Sequence, residues 1–274
     1  MMKKQLSSKK YISFFRLRFA VGLQYRSAAL AGIFTQFMWG AMEILIFNAF
    51  YITDPEAFPM TLSATVSYIW LQQAFLAFFS TWQFEEEIFD TITNGNIAYE
   101  LARPIDIYQM WLSRSVALRM AKGFLRCFPL LFFAVLLPAP YGIAAPESIL
   151  SFVLFLITLA LGLFVTVAYT TLIYVLTMFL ISPQGLRILA VSVTELCSGA
   201  IIPLPFFPDN IRRVMETLPF ASMQNVPLRV YSGDLAGTEL LFALSMQLFW
   251  LTMLLVIGKV LCNKALKQIA VQGG

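Results

Sequence analysis

The feature that most constrains this chain is a series of six apolar stretches of about helix length. They lie at residues 28–52, 60–82, 127–143, 149–181, 188–202 and 240–260. A hydrocarbon core about 30 Å thick is crossed by about 20 apolar residues of α-helix. The stretches therefore predict an all-α integral membrane protein with six transmembrane helices, built as a single domain over residues 1–274.

Two of the six stretches are weak as membrane spans. Between Arg126 and Tyr141 the apolar run gives about 24 Å of helix, so either Arg126 reaches for the headgroups or the helix begins earlier. The stretch at residues 188–202 is also short, and it follows a turn predicted at residues 182–185.

The composition supports a bilayer environment and excludes several classes of protein. Hydrophobic residues make up 59% of the chain and charged residues 12%, whereas a soluble domain carries about 25% charged residues. The absence of histidine excludes histidine-dependent membrane proteases. Cys127, Cys197 and Cys262 lack metal-ligand spacing, so we expect reduced packing residues and no metal site. We also expect no nucleic-acid partner.

The distribution of charge predicts which side of the membrane each connection faces. With the N-terminus inside, 16 of the 19 lysines and arginines fall in the inner segments. The outer segments then keep three arginines and hold seven acidic residues. Because inner loops are enriched in lysine and arginine, we expect a multi-pass protein of the plasma (inner) membrane with both termini in the cytoplasm.

Residues 11–26 precede the first span and combine apolar side chains with Arg16, Arg18 and Arg26. Such a segment predicts an interfacial helix in the inner headgroup layer. It is either a basic anchor that sets the topology or a helix that also touches a cytoplasmic partner.

The inner connection after the second stretch contains a short amphipathic segment at residues 84–95. Apolar residues recur on one helical face: Phe84, Ile88 and Ile92. Acidic residues lie on the other: Glu85, Glu86, Glu87 and Asp90. Gly95 supplies a left-handed stop. The segment is either a plug for a groove in a partner protein or a solvated surface helix, and three adjacent glutamates near anionic lipid favour the partner.

Residues 92–104 resemble the inner loop of type-two ATP-binding-cassette (ABC) permeases. That loop reads as an isoleucine, a glycine, a few residues and then leucine-x-arginine-proline; here these are Ile92, Gly95, Leu101, Arg103 and Pro104. Pro104 disfavours a helical conformation at Arg103, which places Arg103 on a bend. The resemblance extends over nearly the whole chain in the order of its segments.

The resemblance implies a permease subunit with a cytoplasmic coupling helix after span two. The residues that it implies for ATPase coupling are Glu85, Glu86, Glu87, Ile88, Phe89, Asp90, Ile92, Gly95, Arg103 and Pro104. The implied partners are two ABC ATPase subunits and a second permease copy or paralogue, in contact with membrane lipid. ATP and Mg would be bound by the ATPases, and this chain would hold no cofactor.

The outer segment at residues 203–231 is broken by prolines. Broken backbone at membrane depth is stable only where protein buries it or where it lines a wet cavity. The resemblance implies an outer re-entrant region before span six, whose short helices close the translocation path. The implied gate residues are Pro203, Pro205, Phe206, Pro208 and Pro219. An ordinary amphipathic loop is the alternative.

Two carboxylates lie inside predicted spans, Glu43 in the first and Glu195 in the fifth. A carboxylate at the bilayer centre costs about 2.5–3.5 kcal/mol even on insertion scales, so each should face protein or water. They line a translocation path or bind a cationic part of a substrate, or else they form an interhelical hydrogen bond or an ion pair, for example with Arg126.

The chain has no Gly-x-x-x-x-Gly-Lys-Ser/Thr phosphate loop, so we expect no ATPase site of its own. The leading hypothesis is a permease subunit of an ATP-driven exporter that moves substrate outward from the cytoplasm or inner leaflet by alternating access. The alternatives are a proton-coupled carrier that uses Glu43 and Glu195 and a non-transporting assembly or sensor subunit.

Overall fold

A computed structural model describes residues 2–103, 105–180 and 182–268 of the chain. Over these residues the fold is all helical, with twelve α-helices and one 3₁₀ turn at Leu204–Phe206. The helices are α1 (Met2–Gly22), α2 (Arg26–Thr53), α3 (Leu62–Ala74), α4 (Leu76–Phe79), α5 (Glu86–Thr93), α6 (Ile97–Leu101), α7 (Ile107–Leu136), α8 (Ile149–Thr177), α9 (Gln184–Cys197), α10 (Asp209–Thr217), α11 (Asn225–Tyr231) and α12 (Gly237–Gln268).

Three of these helices, α2, α8 and α12, are long and apolar enough to cross a membrane. Many of their large apolar side chains point away from the protein: Phe34 is 69% exposed, Ile149 is 85% exposed and Leu241 is 68% exposed. A soluble protein rarely exposes so continuous an apolar surface, whereas acyl chains would cover it. The all-helical membrane character predicted from the sequence is therefore confirmed.

The other three predicted spans differ from single apolar helices. The second is divided at Phe75 into α3 and α4. The third belongs to the 30-residue helix α7, which begins at Ile107, far before the apolar run. The Asp106 side chain caps α7 by accepting a hydrogen bond from the Gln109 backbone N–H at 3.0 Å. Of the two possibilities left open for Arg126, the earlier helix start is therefore correct.

The fifth predicted span forms α9, which has 14 residues. Such a helix is about 21 Å long, less than the thickness of a hydrocarbon core. The chain then continues through Pro203 into the 3₁₀ turn. A six-span arrangement consequently depends on α9 acting together with the segments that follow it.

Helix α8 is the centre of the packing, because α7, α11 and α12 all lie against it. One cluster of buried side chains surrounds Trp70 and joins α3, α7, α8 and α11. A second cluster surrounds Trp111 and Tyr174 and joins α5, α7, α8 and α12. The two clusters occupy opposite ends of α8; we call them the α11 end and the α5 end of the molecule.

The N-terminal helix α1 packs along α7. It ends at Gly22, and residues 23–25 form a turn before α2 begins at Arg26, so the predicted helix at residues 11–26 is too long at its end. Gly22 is needed for this packing, because a Cβ there would lie 2.6 Å from the Cβ of Ala121. The Tyr11 hydroxyl accepts a hydrogen bond from the Asp106 backbone N–H at 3.2 Å. Helix α1 is thus attached to the bundle as well as basic.

Candidate coupling surface and polar cleft

Glu85, just before the first residue of α5, is held by three side chains from two helices of the bundle. Its carboxylate forms an ion pair with Arg114 of α7 and accepts a hydrogen bond from Ser115 Oγ at 2.9 Å. Its backbone N–H donates to the Tyr174 hydroxyl of α8 at 2.8 Å. The Arg114 side chain is only 6% exposed, so this pair is shielded from water.

Glu86 connects α5 to α9. Its carboxylate accepts hydrogen bonds from both terminal nitrogens of Arg187, and Nη1 lies 2.9 Å from Oε2. The Arg187 guanidinium also lies 4.4 Å from the centre of the Phe89 ring and 5.3 Å from that of Phe84. A bidentate pair combined with stacking fixes the orientation of a guanidinium more firmly than a single ion pair does.

Glu87 connects α5 to α7 and α1. Its carboxylate pairs with Arg114 and lies 3.8 Å from Arg18. The hydrogen bond from Arg114 holds the pKa of the Glu87 carboxyl below its usual value. All three adjacent glutamates are therefore paired with arginines of this chain itself, although Glu86 and Glu87 remain exposed.

The apolar face of α5 is turned into the chain's own core. Ile88 is fully buried, Phe89 is 3% exposed, and Ile92 packs against the same cluster. This corrects the hypothesis that the apolar face is a plug for a groove in a partner. Buried side chains cannot touch another protein, so any contact must use the opposite face.

The exposed surface of this region includes Glu86, Glu87, Asp90, Gly95 and Arg103 together with Tyr99, which is 77% exposed. Gly95 has a φ of 71°, as its predicted role as a left-handed stop requires. Pro104 lies outside the described residues. The sequence analysis did not select Tyr99 as a contact residue, because Tyr99 lies beyond the amphipathic helix. An aromatic residue within residues 92–104, the loop that resembles the family, was the feature that could have indicated it.

The first turn of α7 and the residue before it are attached to α12. Asp106 pairs with Lys259, and the Tyr108 hydroxyl donates to the Leu255 carbonyl oxygen at 3.3 Å. Burial opposes the ionisation of Asp106, but its hydrogen bonds from Lys259 and Gln109 hold the pKa of the carboxyl below its usual value. The α5 end is therefore joined to α1, α7, α8, α9 and α12.

A cleft of about 820 Å³ opens between α2, α3 and α9, and it brings together both carboxylates predicted inside spans. Glu43 lines it from α2 and Glu195 from α9. Glu43 faces Gln73 of α3, which is the neighbour for the interhelical contact that the sequence left as one possibility. The structure thus places Glu43 both on the cleft wall and beside a polar side chain of the next helix.

Arg126 also lines the cleft, but it lies at a different depth. A Cβ on Gly32 would come within 2.7 Å of its Cζ atom, so the guanidinium rests against the first part of α2. Gly32 and Glu43 are about 16 Å apart along the helix axis. Among the described residues, neither Glu43 nor Glu195 forms an ion pair, so the pair with Arg126 that the sequence left as one possibility does not form in this structure.

Arg119 caps the end of the second predicted span, which is divided into α3 and α4. The sequence did not indicate this role. This buried side chain donates from Nη1 to the carbonyl oxygens of Ala77, Phe78 and Ser80, at 3.3, 3.3 and 2.7 Å. These carbonyls lie at or near the end of α4, where helical acceptors lack partners. Arg119 therefore stabilises the point at which the second span ends.

The predicted gate residues surround the 3₁₀ turn and α10. Pro203 and Pro205 are buried, Pro219 is buried beyond the end of α10, and Pro208 is exposed before it. Phe206 packs on the rings of Phe47 and Phe58, with centroid distances of 4.9 and 5.0 Å. The turn is thus fixed to the end of α2 by aromatic contacts.

The segment between α10 and α11 reaches the middle of α8. A Cβ on Gly162 would lie 2.0 Å from the Met223 carbonyl oxygen, so backbone and helix are in direct contact. The fully buried Gln247 of α12 donates to the carbonyl oxygens of Ser222 and Thr158 at 2.9 and 3.0 Å. The bond to Ser222 satisfies a backbone acceptor of residues 218–224, the non-helical tip between α10 and α11, inside the bundle.

Arg229 of α11 is a further structural residue that the sequence did not single out. It is 6% exposed, and it bonds Glu216 of α10 at 2.6 Å and also Asp234. The sequence feature that could have indicated this role is the position of Arg229 between acidic residues, in a predicted outer segment that is otherwise largely apolar. The pair network holds α10 and α11 together.

Residues 37–273 match the family model described as ABC-2 family transporter protein. No curated protein matches the sequence. The matched region contains α5, both cleft carboxylates and the α10–α11 segment, and it begins after α1. With more than half of its length matched, this helical membrane protein belongs to the ABC-2 family of transporter proteins.

Proposed function

We propose that this chain is the membrane-spanning permease subunit of an ATP-driven exporter. It carries no ATPase site of its own, and two separate ABC ATPase subunits bind ATP and Mg. A second copy or a paralogue completes the transporter. Family membership supports association with ABC ATPases in general.

In the proposed topology the chain crosses the plasma (inner) membrane six times and both termini are cytoplasmic. Helices α3 and α4 form the second crossing, α7 the third, and α9 with the 3₁₀ turn the fifth. The α5 end then faces the cytoplasm, where its basic side chains meet anionic lipid.

The observation that carries the proposal is the set of contacts that attach α5 to the neighbouring helices. Its glutamates are paired with arginines of α1, α7 and α9, while Asp90 on the same acidic face and Tyr99 of α6 remain exposed. A partner that displaces this exposed side therefore displaces several helices at once. This arrangement suits the transmission of force from a nucleotide-driven ATPase.

The proposed cycle uses the two ends of the cleft in turn. Closure of the ATPases moves α5, and Arg187 passes the movement to α9, whose Glu195 lines the cleft. Substrate that entered from the cytoplasm or inner leaflet is then exposed to the outside past Phe206 and its neighbouring prolines. The α10–α11 segment closes the path between cycles.

The experiment compares exposed and buried positions of the α5 region. The chain is co-expressed with an ABC ATPase, and co-purification and permease-stimulated ATPase activity in proteoliposomes are measured. The double substitution Asp90→Arg and Tyr99→Ala should reduce both by about tenfold while leaving thermal stability unchanged. Tyr141→Ala, at an exposed tyrosine in the connection between α7 and α8, is the matched control.

Ile88→Ala should behave differently, because it leaves a cavity in the core. It should lower stability by about 2–5 kcal/mol, and any loss of docking should follow the loss of folded protein. The proposal would be contradicted if the double variant of Asp90 and Tyr99 co-purified with the ATPase and stimulated its activity as well as the wild-type chain does.

A proton-coupled carrier is the second candidate, because Glu43 and Glu195 line one cleft. It requires transport in vesicles that contain this chain alone under a pH gradient. Glu43→Gln and Glu195→Gln should then abolish that transport. Dependence on ATP and an ATPase subunit in the same vesicles would reject it.

A further inference from the structure

Several side chains that line the cleft hold buried polar atoms with no hydrogen-bond partner among the described residues. They are Gln36, Glu43, Gln72, Ser80, Thr81, Arg126 and Gln224. Gln36 and Gln72 are each 4% exposed and Gln224 is 3% exposed, and both polar atoms of the Gln36 amide are unpartnered. An unsatisfied buried polar group costs about 1–3 kcal/mol, so this concentration indicates a site that a polar ligand or water fills.

The charge in the middle of the cleft is negative. Glu43 and Glu195 both line the cleft, and among the described residues neither forms an ion pair. Arg126 rests against Gly32, which lies about 16 Å along the α2 axis from Glu43. Gln72 of α3 donates to the Ala200 carbonyl oxygen at 2.7 Å, just beyond the end of α9. A positive group placed between the two carboxylates would gain charge-assisted hydrogen bonds.

The apolar walls of the cleft include aromatic rings with free faces. Trp39 is 58% exposed and Trp82 is 50% exposed, and Met42 adjoins them at 45% exposed. Tryptophan faces attract cations as well as apolar groups. The walls thus suit a ligand with a bulky apolar or aromatic body.

We propose that the cleft binds an organic cation with an apolar body, its charged group between Glu43 and Glu195 and its body against Trp39 and Trp82. The inference rests on the proposed function, which makes such a compound the exported substrate. The same chemistry is offered by a free amphiphilic cation and by the ammonium group of a membrane lipid.

A pair of ions of nearly equal shape tests the sign of the charge. Tetraphenylphosphonium is the cation and tetraphenylborate the anion, and binding of each is measured on the purified full chain in phosphatidylglycerol nanodiscs, with empty nanodiscs subtracted. The cation should bind saturably, with an affinity at least tenfold above that of the anion. Equal affinities, or no saturable binding of the cation, would overturn the proposal.

Substitution of the carboxylates tests their position. Glu43→Gln and Glu195→Gln should each weaken binding of the cation by about tenfold, as expected for loss of a charge-assisted contact. Glu56→Gln, at an exposed acid between α2 and α3, is the matched control and should bind as wild type. Unchanged affinity in both cleft variants would overturn the assignment. If a variant fails to elute as a monodisperse species, the selectivity of the wild-type chain for the two ions still decides.

The source of the cation is decided by lipid composition. If phosphatidylethanolamine added to the nanodiscs displaces tetraphenylphosphonium, the cleft takes a lipid ammonium group; if it does not, the cleft takes a free cation. Both results support a cationic ligand. Intact ATPase stimulation without binding of the cation would reject only the ligand class. Binding of the cation in a chain that no ABC ATPase engages would reject only the proposed function.

Discussion

At the scale of a single residue, Gly162 illustrates how closely the non-helical tip approaches α8. We expect Gly162→Ala to lower the stability of the protein, because the added Cβ would meet the Met223 carbonyl oxygen at 2.0 Å. Backbone cannot move away as a flexible side chain can, and overpacking of this kind costs about 1–3 kcal/mol. Thermal unfolding in detergent measures the effect.

Gly185→Ala is the matched control, since nothing lies within 4 Å of a Cβ at that position. Alanine favours a helix over glycine by up to about 1 kcal/mol, so this variant should unfold at the same or a higher temperature. A loss of stability equal to that of Gly162→Ala would contradict the assigned contact.

Arg229 provides a second test at this scale. Arg229→Gln should destabilise the protein by about 3–5 kcal/mol, because it leaves Glu216 and Asp234 without their buried partner. Arg212→Gln removes an exposed arginine that pairs with Asp209 at a spacing of three residues and should cost about 0–1 kcal/mol. Denaturant or thermal unfolding distinguishes them, and similar losses in both would show that the Arg229 network has no structural role.

At the scale of elements, α9 joins two features that are distant in the fold. Its first turn carries Arg187, which pairs with α5, and its last turn carries Glu195, which lines the cleft. Under the proposed function, Arg187→Gln should reduce the amount of substrate transported per ATP hydrolysed, while the ATPase still docks and hydrolyses ATP.

Arg187→Lys keeps the charge but loses the bidentate pair and the stacking on Phe89, so we expect an intermediate ratio. Arg213→Gln, at an exposed arginine of α10, is the control and should leave the ratio unchanged. Transport and hydrolysis are measured together in proteoliposomes. A normal ratio in Arg187→Gln would remove this residue from the coupling path.

Helix α5 also marks what the sequence could and could not predict. Its amphipathic pattern predicted the helix, and the conformational freedom of Gly95 predicted its stop. The pattern could not say what covers each face. That answer depends on Arg114 and Arg187, which are separated from α5 in sequence by other helices and reach it only through the fold.

At the scale of the whole molecule, topology gives a direct test of the proposed orientation. The native cysteines Cys127, Cys197 and Cys262 are first replaced. Single cysteines introduced as Glu56→Cys or Asn94→Cys should then react with a maleimide from opposite sides of the membrane. A membrane-impermeant maleimide added to intact cells should label Glu56→Cys and spare Asn94→Cys. Asn94→Cys should become reactive after the cells are opened. Labelling of both positions in intact cells would contradict the orientation.

The sequence predicted the helical membrane class from hydropathy alone, and it located both carboxylates of the cleft. It could not predict the short α9, because an apolar run does not reveal where the helix ends inside it. It also missed Arg119 and Arg229, whose roles arise from backbone carbonyls and acids brought to them by tertiary packing. A hydropathy profile predicts which segments are buried, in lipid or in protein, but it does not predict which polar side chains and backbone groups form hydrogen bonds or ion pairs within them.

The pairing of Glu85, Glu86 and Glu87 with arginines of the same chain has a kinetic consequence. A surface whose charges are already compensated presents little field to an approaching protein. The three paired glutamates should therefore add little electrostatic steering to association with an ATPase subunit. Any dependence of the association rate on ionic strength would come from other charges of this face, such as Asp90 and Arg103.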